Sequence, residues 1–129
     1  MDKKFKYEEV PIEDLSLDDE NPRITWVKDM HPDFDQKKDL RMEQALCDES
    51  PSFLELEDSI KQMGGINFPI IVNRQKDGQM VVIEGNTRLQ IYKKFLRENV
   101  KGNWTTIPAN VHEDLDPKLI ESIRIHAHI

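Results

Sequence analysis

One stretch, from Met80 to Leu96, constrains the fold of this chain more than any other. Met80-Val81-Val82-Ile83-Glu84 is an apolar, largely β-branched run of strand character. Gly85-Asn86-Thr87-Arg88 follows, and then Leu89, Ile91, Tyr92, Phe95 and Leu96 recur at helical spacing. The pattern predicts a strand, a tight turn and a helix N-terminus. Such a junction gathers backbone N–H groups without helical partners at the positive end of a helix dipole, which suits an anion such as a phosphate. Gly85 would let the backbone approach a ligand with no Cβ in the way, and Arg88 would add a forked, permanently charged donor. The same residues also permit a purely structural arrangement, in which Thr87 caps the helix, Gly85 makes the turn and Arg88 is solvated.

At 129 residues the chain has the size of one compact domain with a real core. It is 37% hydrophobic and 33% charged, so exposed loops are expected. No apolar run nears the roughly 18–20 residues that span a bilayer, and no cleavable signal pattern opens the chain. The one cysteine, Cys47, excludes an internal disulfide, in keeping with a reducing cytoplasm. A formal net charge of −7 works against gripping duplex DNA through its phosphates, because counterion release favours basic surfaces. Lys93, Lys94 and Arg97 on one helix, and Arg74 with Lys76 in a hairpin, read as ordinary solvated surface.

Residues 1–6 are polar and basic and are expected to fray. Val10, Pro11, Ile12, Leu15 and Leu17 predict a short strand and a turn, with Pro11 confining the strand to an edge. Asp18 to Arg23 is loop chemistry, with Pro22 forbidding helix continuation. Residues 24–51 have the least regular pattern, and a helix is expected there only from about 36 to 48. Ser52 and Glu55 predict a capping box at the start of an amphipathic helix, which Gly64-Gly65 ends. Phe68 to Val72 predicts an apolar strand, and Asp77-Gly78 a hairpin turn leading into Met80. Thr105 to Val111 predicts another strand, and Asp116-Pro117 opens a last helix. That helical pattern is still running at Ile129, which predicts that this domain is the N-terminal part of a longer protein.

With these motifs in this order, the chain resembles the ParB/sulfiredoxin superfamily in its ParB-like N-terminal form. Val10-Pro11-Ile12-Glu13-Asp14-Leu15 and then Asn21-Pro22-Arg23 resemble the opening "I-P-hydrophobic-x-x-L … N-P-R". Leu56-Glu57-Asp58-Ser59-Ile60-Lys61-Gln62-Met63-Gly64 resembles "L-x-x-S-I-K-x-x-G", and Pro69-Ile70-Ile71-Val72 the "Q-P-I-V-V" strand. Glu84-Gly85-Asn86-Thr87-Arg88-Leu89 resembles the "x-G-E-R-R-hydrophobic" box and its "G-N-x-R" variant. Leu119-Ile120-Glu121-Ser122-Ile123 resembles "L-I-E-N-I". The resemblance covers about residues 8–125, with an insert at about 25–50.

It implies an α+β fold, a small mixed sheet flanked by helices, in a single domain over 1–129. It also implies binding of a nucleoside triphosphate, CTP or ATP, with Mg²⁺. Carried over residue by residue, Gly85, Asn86, Thr87 and Arg88 would hold phosphates. Glu121 and Ser122 would sit near the metal-bridged end, with Glu121 as the Mg²⁺ ligand and Ser122 where the family usually has Asn. Gly65, Ile66 and Asn67 would serve the base side, and Glu20 and Arg23 would face the same cleft. The sulfiredoxin branch places its catalytic cysteine where this chain has Asn86, so sulfinic-acid reductase chemistry is not expected. The family's Glu-Arg-Arg is Asn-Thr-Arg here, so one positive charge near the phosphates is missing. The helix-turn-helix and dimerisation segments of full ParB proteins are absent from these residues.

Asp18, Asp19 and Glu20 offer hard oxygens for Mg²⁺ or a general base, although a solvated acidic turn is the simpler reading. Related free-serine kinases use an acidic residue in the corresponding loop, which makes Glu20 the candidate catalytic residue and Glu84 the second. His126 and His128 would share a face only in a strand. Trp26 and Trp104 suit either a base-stacking role or core packing, and Cys47 reads as an incidental thiol. The expected function is nucleotide binding, with or without slow NTPase activity, regulating a larger DNA-associated protein such as a plasmid-partition, phage or defence factor. DNA would be met through segments outside this chain, and a homodimer or protein partner through the 25–50 insert. The alternatives are a small-molecule kinase or ATP-dependent nuclease, and an interaction scaffold without a ligand.

Overall fold

The computed structural model describes residues 5–47 and 51–127, apart from the side chains of Arg23, Asp39 and Ala127. The chain forms five strands: β1 (Phe5–Pro11), β2 (Leu15–Leu17), β3 (Ile70–Arg74), β4 (Met80–Glu84) and β5 (Thr106–Glu113). They make one mixed sheet in the order β1-β5-β3-β4-β2. β1 runs antiparallel to β5 and β3 antiparallel to β4, while β5 with β3 and β4 with β2 are parallel. Pro11 ends an edge strand, where a missing N–H is tolerated. A short 3-10 turn, Ile12–Asp14, joins the two edge strands. That link reaches at most roughly 14 Å, whereas five flat strands would span about 19 Å. The sheet is therefore curled, and its two edges approach each other.

On one face Ile107, Ala109 and Val111 alternate inward on β5 and meet Ile70, Val72 and Val82. Helices α3 (Pro51–Met63) and α4 (Asn86–Arg97) cover this face with Phe53, Ile60, Leu89, Tyr92 and Phe95. Trp104 is buried edge-on against Tyr92 and Phe95, and its indole N–H donates to the Val100 carbonyl at 3.0 Å. It is a core residue. Helix α5 (Pro117–Ala127) packs against β4, where Ile120 and Arg124 line a cleft with Val81 and Ile83.

The least regular segment holds a pair of helices: α1 (Pro22–Met30), which was not expected, and α2 (Lys38–Leu46), which lies within the helix expected from about 36 to 48. Pro22 opens a helix rather than excluding one. The Asn21 carbonyl accepts the Thr25 N–H at 2.9 Å, so the proline occupies the first helical position, where it has no N–H to lose. Ile24 and Val27 then pack on Phe34, Met42, Ala45 and Leu46 in a second small core, joined to the main one through Leu17 and Cys47. Ser52 is not the cap expected of it. Helix α3 already begins at Pro51, which leaves Ser52 inside the first turn, and the position before Pro51 lies outside the described residues.

Candidate functional site

β4 delivers Glu84, and Gly85 turns the chain into α4. Gly85 has φ 104°, and a Cβ there would stand 2.3 Å from Cγ2 of Ile70, so the corner demands glycine twice over. The Gly85 carbonyl accepts the Leu89 N–H at 2.9 Å. Gly85 is the capping residue, and no side chain caps from that position, so the first-turn amides of Asn86, Thr87 and Arg88 are not capped by it. Thr87 is the second residue of the helix and is not its cap.

Asn86 and Arg88 point to opposite flanks of this turn. The Asn86 side chain is buried; its Oδ1 accepts the Asp18 N–H at 3.0 Å and its Nδ2 donates to the Val82 carbonyl at 3.0 Å. That amide belongs to the scaffold. Arg88 folds back over the corner, with Nη2 2.6 Å from Oε2 of Glu84 and Nη1 donating to the Phe68 carbonyl. On the same side the Tyr92 hydroxyl accepts the Ile66 N–H at 3.0 Å, and a Cβ on Gly65 would stand 3.2 Å from it. Asn67 is exposed, with its amide nitrogen 3.6 Å from the Met63 sulfur.

The other flank is built on Asp18 and Arg124. Arg124 holds the buried Asp18 carboxylate by two bonds, Nε to Oδ2 at 2.7 Å and Nη2 to Oδ1 at 2.9 Å. Its Nη1 also reaches Glu20 at 3.1 Å and Glu121 at 3.4 Å. Asp18, and then Glu20, hold the Arg124 guanidinium above its ordinary pKa. Asp18, Asp19, Glu20, Ile83, Ile120 and Arg124 border a cleft of about 240 Å³.

The structure thus gathers Glu20 and Glu121 on one arginine and ties them to Asn86 through Asp18. Gly65 and Asn67 gather instead on the Arg88 side. Ser122 is exposed, its Oγ 3.5 Å from Nδ1 of His126, and that nitrogen also meets the Ser122 carbonyl at 2.8 Å. The side chain of Arg23 and all of His128 fall outside the described residues. Among the described residues, no group of three or more His, Cys, Asp or Glu side chains is placed to hold a metal ion. Burial, with Glu43 adding to it, pushes the Cys47 thiol to about 12, so it is no ready nucleophile. Four of the basic groups singled out in the sequence are paired with acids: Lys94 with Glu57 and Arg97 with Glu43 at 2.7 Å, Arg74 with Glu113 at 2.8 Å, and Lys76 with Asp114 at 3.7 Å. Trp26 is 64% exposed on α1.

Sequence reasoning missed Arg124 and misplaced Asp18. A partly buried pair 106 residues apart leaves no local signature. The one available hint was an arginine a turn after Glu121 on the face that meets the sheet.

Fold and site together define a small mixed α/β domain with a glycine-capped helix behind a hairpin. The structure is similar to that of the chromosome-partitioning protein ParB from Caulobacter crescentus, C-terminally truncated and complexed with CTP-gamma-S. The TM-score is 0.54, with 24% sequence identity and 93% of this chain covered. This chain spans 51% of that ParB chain. The likeness shows a ParB-like fold. No protein-family model and no curated protein matches the sequence.

Proposed function

We propose that this chain is a ParB-like nucleotide-binding domain that takes a nucleoside triphosphate, CTP first and ATP second, at the first turn of α4. The observation that carries the reading is Gly85: left-handed, pressed on Ile70, and offering no cap to the amides that follow it. A fold shared with a protein solved with CTP-gamma-S supports the choice of ligand. Asn86, Thr87 and Arg88 would offer main-chain N–H groups to the phosphates, and the Gly65–Asn67 loop would lie toward the base.

The acids nearby shape the ligand. Glu20 and Glu121 converge on one nitrogen of Arg124, and two carboxylates with phosphate oxygens are a donor set that Mg²⁺ accepts. Bound there with nucleotide, Mg²⁺ would offset the charge between carboxylates and phosphates. On this reading the domain reports nucleotide state to a larger DNA-associated protein, and DNA contacts come from outside this chain, since Arg74, Lys76, Lys94 and Arg97 are already paired with acids. Thermal melting with CTP, ATP and GTP, each with and without Mg²⁺, tests it. Ligand at about a hundred times its Kd stabilises the native state by about 2.7 kcal/mol. A melting temperature unmoved by all three nucleotides would overturn the proposal.

A further inference from the structure

We infer that Glu84 is a built-in competitor for the phosphate site, occupying the Arg88 guanidinium until a nucleotide displaces it. The inference rests on the nucleotide-binding reading above. Arg88 is the one arginine in the Gly85–Arg88 turn, and its side chain is only 16% exposed. Its Nη2 lies 2.6 Å from a Glu84 carboxylate oxygen, and its Nη1 is engaged by the Phe68 carbonyl. A carboxylate at this distance offers the guanidinium an anionic oxygen acceptor, as a phosphate would.

Glu84 and Arg88 flank the turn at i and i+4, one on the last residue of β4 and the other in the first turn of α4. A phosphate resting on the α4 amides therefore meets Arg88 only by taking its place from Glu84. Glu84 in this way sets a threshold. Weakly charged anions lose the contest, while a metal-bound triphosphate, with more charge and more contacts, wins it.

Titration calorimetry of the full chain with Mg-CTP tests this in four proteins: the parent, Glu84→Gln, Arg88→Ala and the double variant. Glu84→Gln should bind about five- to tenfold more tightly than the parent, the range of a partly shielded ion pair. The gain should vanish in the Arg88→Ala background, because the competition is for that guanidinium. A gain that persists without Arg88 means simple charge repulsion and overturns the inference, as does Glu84→Gln binding no tighter than a parent that binds. Absence of binding in both the parent and Glu84→Gln overturns the nucleotide reading as well. Should Glu84→Gln fail to fold, Glu84→Asp, which keeps the charge but withdraws it by one methylene, should bind more tightly than the parent, and an affinity no better than the parent's would count against the inference.

Discussion

Arg124 on α5 grips Asp18 from the loop after β2 with two bonds, at 2.7 and 2.9 Å, across 106 residues of sequence. The pair fastens the last helix to the sheet edge, and the Asp18 N–H passes the connection on to Asn86 at the start of α4. Asp18 is 2% exposed, so its charge is tolerated only while the guanidinium is present. Arg124→Ala should cost about 3 kcal/mol in chemical denaturation. Asp18→Asn should cost less, because the exposed Glu20 and Glu121 still accompany the arginine. Equal losses in the two variants would contradict this account of the pair.

Gly85→Ala should destabilise the fold by at least about 2 kcal/mol, combining left-handed strain with overpacking against Ile70. Gly78, also at positive φ but with no atom within 4 Å of the place a Cβ would take, supplies the control. Its alanine variant should show the conformational penalty alone, and denaturant midpoints of the two variants separate the contributions.

Cys47 should resist alkylation. With its thiol at about 12, roughly one molecule in ten thousand carries a thiolate at pH 8. Iodoacetamide should label the unfolded chain readily and the native chain slowly. Fast native labelling would show that the junction between the two cores opens.

His112 carries a pH dependence of definite sign. Burial holds its imidazole below the ordinary 6.5. As pH falls through that value the unfolded state takes up a proton that the native state refuses, so stability is lost on acidification. His112→Phe should therefore lose less stability than the parent between about pH 7.5 and about pH 5.5. Parallel pH profiles for the two proteins would contradict this.

The strands and α2 to α5 were legible because their signals are local. A strand reads from alternation, as in Ile107, Ala109 and Val111, and α4 from the spacing of Leu89, Tyr92 and Phe95. Helix α1 was not legible, because Pro22 and the interleaved charges hid a stripe of only Ile24 and Val27. At the candidate site, the glycine corner was visible as a residue type that a tight turn requires. The side-chain commitments were not. Nothing in Asn86 announces that its amide will be buried between Asp18 and Val82, and nothing in Arg88 announces Glu84 as its partner beyond a four-residue spacing common to solvated helix faces.

The most direct test follows backbone amide resonances while the protein is titrated with CTP and Mg²⁺. The amides of Asn86, Thr87 and Arg88 should shift most, saturate together, and respond far less in Arg88→Ala. Shifts confined to the cleft around Gln75 and Gln79, or no shifts at all, would contradict a phosphate site on the first turn of α4.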